Sequence, residues 1–196
     1  MQQQDGKQQQ GIRWHLRQAT AARHEEVDAL GSAFPLKTPQ GYRRFLRAHA
    51  RALASVEQGL EAAGIASLLP DWPERTRRAA LAADLAALGI AAPPALPFAP
   101  PASPAAVLGA AYVLEGSRFG NGMLLRQVRE AGDTCASAAT AYLAHKASWP
   151  AFLARLEQQL ADPALWPGAA EGAVAAFACF HAALAAEQAE EPLLHA

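Results

Sequence analysis

The sequence predicts an all-α protein, a compact single-domain helical bundle, and three observations lead there. Alanine, the strongest helix former, supplies much of a hydrophobic fraction of 52%. Strand formers are scarce, and no convincing alternating run of β-branched or aromatic residues occurs. Six segments with helical spacing are separated by proline and glycine breakers. A chain of 196 residues is long enough to bury a real core as one domain.

The elements follow in order. The polar start, MQQQDGKQQQ, reads as a disordered tail over residues 1–11, with a helical domain over 12–190. A first helix runs from Ile12 to about Leu30 and stops at Gly31-Ser32 and Phe34-Pro35. Thr38-Pro39 is an N-cap and first-turn pair for a second helix reaching Gly64. A loop with Pro70 and Pro73 precedes a shorter helix from about Glu74 to Gly89. The stretch Ala91 to Pro104 holds six prolines and reads as a semi-rigid connection inside the domain. Ser103-Pro104 opens a long helix to about Ala131, a fifth spans Thr134 to Leu160 with a bend or break at Pro150, and the last covers Gly168 to Gln188.

Several function classes are disfavoured. Net charge is −1, which gives no general attraction to nucleic acid. Cys135 and Cys179 form no zinc or CxxC pattern and suit a reducing, cytoplasmic setting. No apolar run is expected to reach the roughly 18 residues that span a membrane, and the amino terminus lacks a signal-peptide layout.

Among the histidines, His49 sits among Arg43, Arg44, Arg47 and Arg51, which reads as a solvated face. His145 beside Lys146 is expected to face water, His181 to be a satisfied buried histidine, and His15 and His195 to lie near frayed ends. His24 differs because Leu16, Thr20, Val27 and Leu30 place it at the border of an apolar stripe. Arg17, seven residues earlier, projects from nearly the same side about 10.5 Å along the axis. That pair suits a large planar ligand with a metal centre and acidic arms. Taken alone, this helix fits two unremarkable polar residues better.

The segment Tyr112-Val113-Leu114-Glu115-Gly116-Ser117-Arg118-Phe119-Gly120-Asn121-Gly122 places three glycines inside a helix. Together they cost roughly 3 kcal/mol relative to alanine. Gly116 and Gly120, one turn apart, strip Cβ from one surface, so something is expected very close to that backbone. The neighbour is either another helix or a flat ligand. Gly122, on another face, favours a local kink with freed peptide dipoles.

The runs Leu16 to Asp28 and Tyr112 to Gly120, with weaker agreement at Trp149 to Leu153 and around Phe177, resemble the heme oxygenase family, particularly its bacterial biliverdin-producing branch. The resemblance extends over most of the chain after residue 12. It implies the heme oxygenase bundle and the conversion of heme, both cofactor and substrate, to biliverdin, carbon monoxide and ferrous iron with O2. Electrons then come from an external reductase or ferredoxin. It further implies that His24 is the axial ligand to heme iron and that Arg17 and Tyr112 contact propionates. Gly116 and Gly120 then cross the distal face, with Ser117 orienting water. A neutral histidine leaves iron able to bind oxygen without the electron push of a thiolate.

Two departures stand out. No aspartate follows Gly116, and Asn121 occupies a position that is more often small, where it adds a hydrogen bond or crowds the distal face. Asn121 keeps open a heme-binding or heme-delivery protein without efficient turnover. A heme-free interaction module, with the glycines packing a helix, is the third reading.

Overall fold

The computed structural model describes residues 11–190, and all regular structure among them is helical. The tail expected at residues 1–11 therefore lies, apart from Gly11, outside the described residues, as does His195.

Helix α1 (Ile12–Gly31) buries Ile12, Leu16 and Thr20, spaced four apart, and the Thr20 hydroxyl donates to the Leu16 carbonyl at 2.7 Å. Helix α2 (Pro39–Ala62) begins where Thr38-Pro39 predicts. Thr38 Oγ1 accepts the Gly41 amide at 3.0 Å, and the proline occupies the first turn.

The helix expected over 74–89 is instead divided between α4 (Trp72–Arg75) and α5 (Arg78–Ala87), and the loop expected before it holds a further short helix, α3 (Ile65–Leu68). The start of α5 is set from a distance. Glu57 of α2 accepts the backbone amides of Arg77 and Arg78 at 2.7 and 3.2 Å, satisfying orphan donors of the first turn. Nothing near residue 77 in sequence signals this cap.

Residues 90–101 have no regular structure, as their prolines require. They are laced onto α2: the Leu96 amide donates to the Arg51 carbonyl at 2.7 Å, and the Phe98 ring lies against Gly59.

The expected helix 104–131 is two helices, α6 (Pro104–Gly116) and α7 (Arg118–Glu130), broken at Ser117. The expected helix 134–160 is three: α8 (Thr134–Ala138), α9 (Ala141–Ala144) and α10 (Trp149–Gln159). Asp84 of α5 accepts the amides of Ala141 and Tyr142, both at 2.8 Å, and so fixes α9. Of the bend or break expected at Pro150, the structure shows a break: the proline sits in the first turn of α10, capped by Ser148.

A 3-10 turn (Pro163–Leu165) leads to α11 (Trp166–Ala189), the central helix, which packs on α1, α2 and α6. By length and composition alone α11 with its preceding turn is apolar enough to cross a membrane, contrary to the expectation from sequence. Alanine raises its hydropathy, and much of that composition covers buried positions against three helices. Its crossing with α6 is unusually close. A Cβ on Gly109 would fall 1.8 Å from the Ala169 carbonyl oxygen, and one on Gly172 would fall 1.9 Å from that of Ala106.

The arginine face expected to be solvated is partly an internal clasp. Arg51 is buried and, with Arg47, pairs with Glu187 and Glu190, which join α2 to the end of α11.

Candidate functional site

Helix α1 carries the first half of the site. His24 projects from its exposed side, with 62% of its side chain accessible. The burial of Leu16 and Thr20 turns one stripe inward and leaves His24 at that stripe's edge, where Phe177 of α11 meets the imidazole edge-on, with ring centroids 5.8 Å apart. His24 Nδ1 lies 3.0 Å from Asp28 Oδ2, one turn on. The carboxylate stands beside Nδ1, which leaves Nε2 as the ring atom for a metal. Sequence reading quoted Asp28 without a role, although its i,i+4 spacing from a candidate ligand is a usable signal.

The second half is built by α6 and α7. Tyr112 is half-buried, its ring 5.8 Å from that of Trp149. Burial pushes its phenol above the usual value, while Arg13 and Arg17 of α1 act in the opposite direction. Both guanidiniums therefore act on this phenol by charge across the two helices. Arg13 is an addition that sequence reading missed.

Gly116, Gly120 and Gly122 have no close neighbour. A Cβ built on any of them would meet no described protein atom within 4 Å. Of the two neighbours weighed for this strip, a packed helix is absent among the described residues, and the glycines that do serve helix packing are Gly109 and Gly172. Phe119 and Met123 share the side of α7 that carries Gly120, by their spacing along the helix, and they are 66% and 64% exposed. They extend the glycine strip into an open apolar face. Asn121 is turned away from it: it is 5% exposed, with Nδ2 buried and unpartnered, while Gly120 and Gly122 on either side are exposed.

The α6–α7 junction is braced by charges from the 71–77 segment. Glu115, fully buried, accepts from Arg75 Nη1 at 2.7 Å and from Arg118 Nη2 at 2.9 Å. Arg118 Nη1 stands 2.8 Å from His145 Nδ1. Burial lowers the His145 pKa, and Arg118 lowers it further, so Nδ1 is the acceptor. His145 therefore does not simply face water. Ser117 Oγ donates to the Leu114 carbonyl at 2.8 Å and accepts from Arg77 Nη2 at 3.0 Å, leaving one lone pair for another donor.

His49 is no surface residue either. Its ring packs on Phe45 at 4.0 Å and near Tyr142 and Phe180, and Nδ1 donates to the Phe45 carbonyl at 2.9 Å. Burial lowers its pKa to about 4, so the ring is neutral. Its arginine neighbours in sequence point elsewhere because α2 is apolar on one face only. His181 is half-buried and His15 packs 5.4 Å from the Trp166 ring.

Among the described residues no three His, Cys, Asp or Glu side chains converge as a metal-ion site. What remains is one imidazole nitrogen, a cationic edge at Arg13, Arg17 and Tyr112, and an uncovered glycine-lined apolar face. Such a set suits a flat group whose metal brings most of its own ligands.

The chain is similar to known proteins in both sequence and fold. The sequence model described as Heme oxygenase matches residues 11–186. A protein named "Heme oxygenase" from Xanthomonas campestris pv. campestris (strain 8004) is 40% identical, over 74% of this chain and 90% of that protein. In fold, the chain is similar to the NO- and CO-bound heme oxygenase from Neisseria meningitidis. The TM-score is 0.77 at 23% identity, covering 91% of this chain and 92% of that one.

Proposed function

The chain belongs to the heme oxygenase family, and from that premise we propose how its residues are assigned to the reaction. The enzyme cleaves heme oxidatively to biliverdin, carbon monoxide and ferrous iron, with O2 as co-substrate and heme as both substrate and cofactor. Bound heme supplies the iron that activates O2 and the carbon that is attacked.

His24 Nε2 is the proximal ligand, and Asp28 holds its tautomer through Nδ1. Arg17 and Arg13, with the Tyr112 hydroxyl, receive the propionates; a phenol kept protonated by burial donates to a carboxylate. Gly116 and Gly120 allow the distal backbone to come close to the porphyrin, and Phe119 and Met123 cover apolar ring edge and exclude water. Ser117, with its hydroxyl proton committed to Leu114, offers a lone pair to an ordered water and donates no proton itself.

The observation that carries this assignment is the uncovered glycine strip. Three helix-weakening residues stand where no described protein atom needs the space, so packing among the described residues does not account for them. This argues against the heme-free module, whose case was that the glycines pack a helix. Asn121, the reason to entertain binding without turnover, faces inward and does not crowd the strip.

We further assign residues 12–190 to one heme oxygenase domain, working in the cytoplasm with a separate reductase or ferredoxin as electron donor. The test is a heme titration of the purified protein, followed by reductant under oxygen. One-to-one binding with a histidine-ligated Soret band is expected, lost in His24→Ala, and bleaching to a biliverdin spectrum follows. A normal Soret band in His24→Ala would remove the ligand assignment.

A further inference from the structure

We propose that Arg77 is the positioning residue of the distal segment: it latches the break between α6 and α7 and so sets how the Gly116–Gly120 strip is presented to heme, an inference that rests on the heme-site reading above. The break needs a holder. In an unbroken α-helix the carbonyl of Leu114 is taken by the amide four residues on. At this break it accepts two side-chain donors, the Ser117 hydroxyl at 2.8 Å and Arg77 Nη2 at 2.9 Å. The same Nη2 lies 3.0 Å from Ser117 Oγ. One nitrogen, delivered from the segment before α5, therefore grips both groups that define the junction.

Arg77 is built for that single task. It is 1% exposed, its backbone amide is tied to Glu57 Oε1 at 2.7 Å, and its guanidinium stacks 5.2 Å over the Tyr142 ring. Both side-chain hydrogen bonds it makes end at the junction, and Nε and Nη1 have no partner among the described residues. The adjacent Arg75 differs: it braces the junction through ion pairs with the carboxylates of Glu115 and Asp71 and does not touch the Leu114 carbonyl or Ser117. A buried guanidinium that touches no carboxylate adds little net stability over an apolar side chain of similar size. Its retention fits a positional role better than a stabilising one.

The experiment compares Arg77→Met and Arg77→Lys with wild type. In heme-free protein, amide hydrogen exchange read by mass spectrometry should speed up about tenfold across residues 113–122 in Arg77→Met, with the remaining helices protected as before. Arg77→Lys, which keeps a cationic donor, should restore part of that protection. In the ferric heme complex, affinity for bulky imidazole should rise relative to that for compact cyanide, because the distal segment can then move aside. Unchanged exchange over 113–122 together with an unchanged imidazole-to-cyanide ratio overturns the latch. If Arg77→Met does not fold, Ser117→Ala and Arg77→Lys decide the matter: local loosening over 113–122 supports the latch, and its absence in both overturns it. Failure of the wild type to bind heme would reject the site reading while leaving the exchange arm to judge the latch.

Discussion

His24 and Asp28 form a ligand and its orienter on one exposed helix face, so their removal should separate binding from folding. Asp28→Ala is expected to keep a histidine-ligated Soret band and to lower heme affinity about tenfold, measured by titration. Its melting temperature should match wild type, since both side chains are largely in water. His49 behaves in the opposite way, because its effect is on folding. Its folded pKa of about 4 lies below the unfolded value near 6.5. Neutral His49 thus favours the folded state fully above pH 6.5. Between 6.5 and 4 the unfolded chain takes up a proton that the folded chain refuses, and stability falls by up to about 1.4 kcal/mol per pH unit. Urea melts at pH 7 and pH 4.5 should show a smaller loss in His49→Gln than in wild type. Equal losses would mean the ring protonates in place.

At the scale of elements, two kinds of glycine can be told apart by one substitution. Gly120→Ala adds a methyl that meets nothing and raises helix propensity, so the heme-free protein should gain up to about 1 kcal/mol while heme affinity falls. Gly109→Ala forces a methyl into the Ala169 backbone and should cost about 3 kcal/mol in the same denaturation assay. In sequence both are simply glycines in apolar helices, which is why the strip was expected to have a close neighbour of either kind. The kink near residue 117 was legible, because three glycines weaken a helix on their own account. The starts of α5 and α9 were not, since Glu57 and Asp84 reach them from 20 or more residues away.

Across the whole molecule, α11 is the member that joins the rest, and its last turns are held to α2 by charge. Glu187 is nearly inaccessible and contacts both Arg47 and Arg51. Glu187→Ala should destabilise by about 3 kcal/mol by leaving Arg51 buried with only Glu190 as partner. The double variant Arg51→Met/Glu187→Leu should recover most of that loss, and a failure to recover would show that packing, not charge, is what the pair provides. The arginine-rich stretch of α2 looked solvated because the acids that neutralise it lie about 140 residues further along the chain.

The sequence by itself determined the helical class, the caps at Thr38 and Ser103, the proline-rich connection, and the two motifs whose order points to heme. Each of these rests on local physics: propensity, a capping hydroxyl three residues from its amide, or a fixed spacing along one helix. Only the tertiary structure decided which glycines are open and which are packed, which way Asn121 faces, and that Arg77 reaches the α6–α7 break. Those facts depend on contacts between residues far apart in the chain, and no periodicity along a single segment encodes where a distant side chain will end.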